Sequence, residues 1–196
     1  MKTLLTLFVL LFSSSVFAED ISDFQIEGMS IGDSLLDYMS KEEIKNKIDF
    51  IYEDFDNSKS KNFAAINYYK NLQIYDFLTI DFKANDPKFE IAGISGIIIY
   101  EDNIDKCLRK QKSIFEEVKL SLNELHYQEF EPYSHEGYPV GDVILNTISF
   151  FLDIKKRSNL EIICWKISKK MDFPNRLDFS LKSHELNDFL AEIYLN

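Results

Sequence analysis

The sequence predicts an α+β fold, an antiparallel sheet of about six strands packed against helices. Three observations carry that expectation. Runs rich in Ile, Phe and Tyr are joined by connections too short for a parallel crossover, so neighbouring runs pair antiparallel. One long segment between them has apolar residues alternating four and three apart, the signature of a helix with one covered face. Residues 176–181 alternate strictly, with Leu177, Phe179 and Leu181 set against Arg176, Asp178 and Ser180, as in a strand with two unlike faces.

Taken in order, residues 19–33 form a lead-in in which Phe24 and Ile26 suggest a short edge strand. Helical stretches are expected at 34–39 and 41–51. Ser40 and Glu43 make a capping box for the second, and Ile44, Ile48 and Ile51 follow at helical spacing. Residues 54–62 are polar and read as a loop. Strands are expected at 63–69, 72–82 and 89–100, with Asn85-Asp86-Pro87 as a turn signal. The long helix covers 103–126, its apolar stripe broken only by Gln111. Residues 127–142 read as a loop containing Tyr, Glu and Gly. Strands at 143–153, 160–168 and 176–181 follow, the middle one apolar on both faces apart from Glu161 and Lys166 and therefore central. A last helix starts near Ser183, with Leu186, Phe189, Leu190 and Ile193 on one side. The resulting order, αα-βββ-α-βββ-α, suggests one domain over 19–196, with possible αβββ-like halves at 28–100 and 103–196.

The N-terminus reads as a cleavable export signal. Lys2 supplies the positive charge, residues 4–12 an apolar stretch, and Val16-Phe17-Ala18 a small residue for cleavage after Ala18. Nine apolar residues at ~1.5 Å each fall short of a ~30 Å hydrocarbon core, and no later segment is longer than ten, so no stable membrane insertion is expected after cleavage. The first cysteine is Cys107, which leaves no thiol for a lipid at the cleavage point. The expected location is the periplasm or the medium.

The chain of 196 residues carries 22 basic and 33 acidic side chains, a net charge of −11. Losing residues 1–18, with Lys2 and no acid, makes it more negative still. Such a chain repels phosphate backbones, and the densest basic run, 106–112, reads as the solvated side of a helix, so nucleic-acid binding is not expected. In an exported chain, Cys107 and Cys164 read as a disulfide; the rival reading is two buried free thiols.

Motifs for chemistry are sparse. His126 and His135 lie nine residues apart in an acidic loop, which matches no metal-ligand pattern. Asp54-Phe55-Asp56-Asn57-Ser58 opens like a calcium loop but puts Ala65 where the bidentate Glu belongs. Gly93-Ile94-Ser95-Gly96 has the wrong spacing for a nucleophile elbow; its small residues suit close approach of another element. No catalytic, cofactor or metal residues are assigned. The aromatic loop residues Tyr127, Tyr133, His135 and Tyr138 are the candidate binding surface, because Tyr offers large contact area with few rotamers to freeze.

The opening Ile26-Glu27-Gly28-Met29-Ser30-Ile31-Gly32-Asp33, and later Ile162-Ile163-Cys164-Trp165 with its distant Cys107, resemble small exported proteins of Gram-negative bacteria that have no assigned activity. The order of elements and the Gly-Met-Ser opening are also similar to the helix-helix-three-strand modules of BamE-type outer-membrane assembly factors and β-lactamase inhibitor proteins. This chain lacks the lipid-accepting cysteine of the assembly factors. Together these readings suggest a non-enzymatic protein that binds a protein or small-molecule partner in the cell envelope. The alternative is a periplasmic hydrolase using carboxylates or His126 and His135.

Overall fold

The computed structural model describes residues 21–51, 63–122, 125–153 and 158–194. The expected signal segment, its cleavage point after Ala18 and the polar run beginning at Asp54 lie outside the described residues. Nine antiparallel strands form a single sheet among the described residues: β1 (Ile48–Ile51), β2 (Phe63–Tyr68), β3 (Phe77–Lys83), β4 (Ile91–Glu101), β5 (His126–Glu129), β6 (Tyr133–Ser134), β7 (Val143–Asp153), β8 (Ser158–Ile167) and β9 (Asn175–Lys182). Their spatial order is β1-β2-β3-β4-β9-β8-β7-β5, with β6 also pairing with β7. The sheet is continuous through the β4–β9 ladder, so the two three-strand sets expected from the sequence lie side by side in it.

One face carries the main core. Helix α2 (Ile104–Ser121) lies across β4, β9 and β8. Leu177, Phe179 and Leu181 of β9 and Leu160 and Ile162 of β8 are buried beneath it. The N-terminal segment covers the β2–β4 end of the same face with Phe24, Ile26, Met29, Leu35 and Ile44. Cys107 of α2 and Cys164 of β8 are joined by a disulfide, both fully buried with Cα atoms 6.0 Å apart. Gln111, the one break in the helical stripe, is buried; its Nε2 donates to the carbonyls of Asn146 and Ile162 at 2.7 and 2.8 Å. It thus ties the helix to two strands.

Several boundaries differ from the expected ones, each for a local reason. Residues 34–39 form only a 3₁₀ turn, Leu35–Asp37. The Ser40–Glu43 capping box is present, but α1 stops at Asn46 (Lys41–Asn46). The next residues pair with β2, matching Ile48 to Ile66 and Ile51 to Ala64, and Asp49 accepts the Asn67 N–H at a bulge. For this run of β-branched and aromatic residues, the ladder outweighs helical continuation. Residues 72–76 leave the strand because Glu27 takes their amides: its Oε1 accepts from the N–H groups of Gln73, Ile74 and Tyr75. Glu27 is held there by a two-residue turn, with φ of 52° at Glu27 and 80° at Gly28, that closes the Ile26–Met29 bridge. That bridge replaces the edge strand expected at Phe24 and Ile26. The long helix ends at Ser121 and not near 126, since His126 and Tyr127 pair with Phe151 and Phe150. The segment 127–142 is therefore not simply a loop; β5 and β6 extend the sheet from it.

Among the described residues, the second face is covered only in part. Helix α3 (His184–Tyr194) packs Leu186 and Phe189 against Phe63 and Ala92 at the β2–β4 end. At the other end Val143, Leu145 and Ile163 form a small apolar cluster with Trp165. Both glycines of the 93–96 run permit close approach, as their size suggested. A Cβ on Gly93 would stand 2.6 Å from both Asp81 Oδ2 and Leu186 Cδ2, and one on Gly96 would meet the Tyr75 ring at 2.5 Å. Gly93→Ala is therefore expected to destabilise the protein by about 1–3 kcal/mol, the usual cost of overpacking. In urea unfolding the midpoint should fall, with amide exchange accelerated in α3 first. An unchanged midpoint would mean that α3 is not seated as described.

Candidate ligand-binding groove on the open face

Between the two apolar patches of the second face runs a band of polar side chains, and the strand register explains how it assembles. Asn67, Thr79, Ser95, Ser180, Glu161 and Ser149 are successive cross-strand partners on six neighbouring strands. They hydrogen-bond along the row: Thr79 Oγ1 to Asn67 Oδ1 at 3.0 Å, Ser95 Oγ with Ser180 Oγ at 2.9 Å, and Ser149 Oγ to Glu161 Oε1 at 3.2 Å. One row away, Gly93 lies between Asp81 and Lys182. Its missing side chain leaves room for both to reach across it. Lys182 Nζ binds Glu161 Oε2 at 2.6 Å. Burial works against the Lys182 ammonium, yet Glu161 and then Asp81 and Asp178 hold its pKa above the ordinary value.

On the other side of the polar row, Asp178 faces Ile97 of β4 and Ile163 of β8 across the ladders. Its side chain is 13 % exposed. Burial between these isoleucines pushes the carboxyl up to about 6, against the pull of Arg176 and Lys182. Arg176 Nε lies 3.2 Å from Asp178 Oδ1 as an ion pair. The guanidinium also stacks on Trp165, 4.2 Å from the ring centroid. The Trp165 Nε1, Arg176 Nε and Asp178 Oδ1 atoms are all enclosed, and the Trp165 and Arg176 N–H groups serve the Asp178 carboxylate. Burying a charged cluster is costly in a folded chain, and groups with perturbed pKa values are concentrated at functional sites.

These residues floor a groove enclosing about 300 Å³, bounded by Phe77 and Thr79 on one side, Ile163 and Trp165 on the other, and Leu190 of α3. A larger depression of about 590 Å³ adjoins α3, but its Lys83 is engaged by Glu90 and Glu185 at 2.7 and 2.6 Å. It gathers surface carboxylates around a satisfied lysine. The groove is the stronger candidate.

The four aromatic residues singled out from the sequence divide between the faces. Tyr133, His135 and Tyr138 reach the open face: the Tyr133 hydroxyl is 3.3 Å from Thr147 Oγ1, and the His135 ring packs on Trp165 at 5.3 Å and Tyr138 at 5.1 Å. Through His135 they adjoin the Trp165 end of the groove without lining it. Tyr127 belongs to the other side, where it packs against Phe115 and Phe150 under α2. His126 stacks on Phe151, and His135 Nδ1 accepts the Gly137 N–H, so the two histidines serve different local contacts. Among the described residues, no three His, Cys, Asp or Glu side chains are set to share a metal ion.

The groove residues Trp165, Arg176, Asp178 and Lys182 were not among the sequence candidates. The signal that could have found them was the polar half of the β9 alternation, placed in a strand with neighbours on both sides. Among the described residues, no helix is long and apolar enough to cross a membrane. Compared with known proteins, the chain matches no family model, no curated protein and no solved structure.

Proposed function

We propose that this chain is an exported, non-enzymatic binding protein that takes a small molecule into the groove on its open sheet face. The observation that carries the reading is the Arg176–Asp178 ion pair with the Trp165 N–H, a charged cluster enclosed at the groove floor. A partly apolar cleft with a few convergent polar groups is the usual form of a ligand site. The signal-like N-terminus and the Cys107–Cys164 disulfide support export, since such bonds persist in oxidising compartments.

The hydrolase alternative draws on Asp178, whose pKa of about 6 would suit a proton carrier. Neither histidine of that alternative joins it there: His135 packs on Trp165 and Tyr138 and accepts the Gly137 N–H, and His126 lies against Phe151. Binding is the simpler use of the same groups.

Trp165 is the only tryptophan, so its emission reports on the groove alone. Titration with the low-molecular-weight fraction of an envelope extract is expected to shift that emission saturably, and native mass spectrometry should find one retained small molecule. The double variant Arg176→Ala/Asp178→Ala should retain none. A parent protein that holds no ligand, or a double variant that holds the same one, would remove the proposal.

A further inference from the structure

We infer that the groove takes an uncharged polyhydroxylated ring, a neutral sugar; this rests on the groove being the ligand site. The first reason is that its charges are already matched. Lys182 is bound by Glu161 at 2.6 Å, and Asp81, across Gly93, adds to the same attraction. Arg176 pairs with Asp178 at 3.2 Å, and the Trp165 N–H serves that carboxylate as well. A cation or an anion entering here gives up its hydration and gains a counter-charge only by breaking an existing pair. A neutral ligand leaves both pairs in place.

The second reason is the set of hydrogen-bonding groups that lies between the pairs. Ser95 Oγ and Ser180 Oγ share one hydrogen bond at 2.9 Å, which uses one of their two hydroxyl protons and leaves the other for a ligand oxygen. Thr79 donates to Asn67 at 3.0 Å, so its oxygen still accepts. Asp178 meets the Nε of Arg176; that side chain is 34 % exposed, and the N–H groups on its outer edge can donate. Donors and acceptors are thus interleaved. A hydroxyl group, being both, meets either kind.

The third reason is spacing. Thr79, Ser95 and Ser180 are successive cross-strand partners on β3, β4 and β9. The row they make covers two strand spacings, roughly 10 Å. A single hydroxyl cannot use that row. Several hydroxyls around the rim of one ring can.

The walls complete the match. Phe77, Ile97, Ile163 and Leu190 flank the polar row, and Tyr69 stacks on Phe77 at 5.5 Å. A sugar ring carries hydroxyls on its rim and C–H groups on its faces. The C–H faces suit these apolar walls, and an aromatic ring attracts them through its negative face. The enclosed volume of about 300 Å³ lies at the small end of ligand clefts, with room for a ring and not for a long chain.

Glucose, galactose and mannose, each beside its 6-amino-6-deoxy and uronic acid counterparts, keep one ring and change the charge at a single carbon. Cyclohexanol keeps a ring with one hydroxyl. At pH 7.5, read by Trp165 emission and by titration calorimetry, at least one neutral hexose is expected to bind saturably. It should bind about tenfold or more tightly than its two charged counterparts and cyclohexanol. Ser95→Ala should weaken that hexose about three- to tenfold, the worth of one hydrogen bond, and Thr79→Val gives a second variant in case that protein does not fold. Equal or tighter binding of a charged counterpart or of cyclohexanol, or an affinity unchanged by the substitutions, overturns the sugar assignment but leaves the groove as a ligand site. So does silence to every probe in a protein that still retains a ligand from extract. Silence to probes and extract alike removes both.

Discussion

Replacing Cys107 and Cys164 together by alanine is expected to lower the melting temperature by roughly 8–16 °C. The bond closes a 57-residue separation, and constraining a loop of that length in the unfolded chain is worth about 4 kcal/mol. For a chain of this size each kcal/mol corresponds to about 2–4 °C. The location of the bond adds to its effect. It joins the first turn of α2 to the interior strand β8, and α2 supplies much of the cover for β4, β8 and β9. Both sulfurs are fully buried, so a thiol reagent reaches them only when the helix lifts from the sheet. Scanning calorimetry of parent and variant measures the shift, and mapping of unreduced peptides checks the linkage. A variant that melts within two degrees of the parent would show that α2 is held by packing alone.

Asp178→Asn should have the opposite sign. The native carboxyl titrates near 6 and the unfolded one near 3.8, so between those values the native state holds more protons. Stability therefore falls as pH rises through that window, and above 6 the whole penalty of an ionised, buried carboxylate is present. A shift of about two units corresponds to ~3 kcal/mol at full strength; leaving Arg176 without its partner reduces the expected gain to about 2 kcal/mol at pH 7.5. At pH 4 the gain should vanish. Glu161 does not confuse the comparison. Despite burial, Lys182 holds its carboxyl below the ordinary 4.5, so its stabilisation is lost only at more acid pH and is common to both proteins. Urea unfolding at pH 4 and 7.5 reads the difference. A variant no more stable than the parent at pH 7.5 would mean that the Arg176 pairing fully offsets the burial of Asp178. A variant that is more stable yet unable to hold ligand would place Asp178 among residues whose cost to stability is maintained for function.

Much of the architecture could be read from local pattern. β7, β8 and β9 fall within two residues of their expected bounds, since each is a long β-rich run with clear limits. α2 was legible from its stripe, and the Ser40–Glu43 box from its spacing. The readings that differed came where a distant partner overrules local preference. Nothing near Ile48 says that β2 will pair with it, and nothing near Gln73 says that Glu27, 46 residues earlier, will take its N–H. The short strands β5 and β6 likewise exist because β7 is long enough to pair with both.

The groove shows the division most clearly. Sequence pattern alone established an α+β chain with a covered and a polar side to β9, one long covering helix and two cysteines suited to pairing. Those properties depend on periodicity and composition, which are local. Which polar residues gather in the groove was decided by strand order and register. Placing β9 between β4 and β8 set Asp178 between two isoleucines and put Lys182 across an empty Gly93 from Asp81. A carboxylate becomes costly, and useful, only through the neighbours that exclude water from it, and those neighbours are 81 and 15 residues away in the chain.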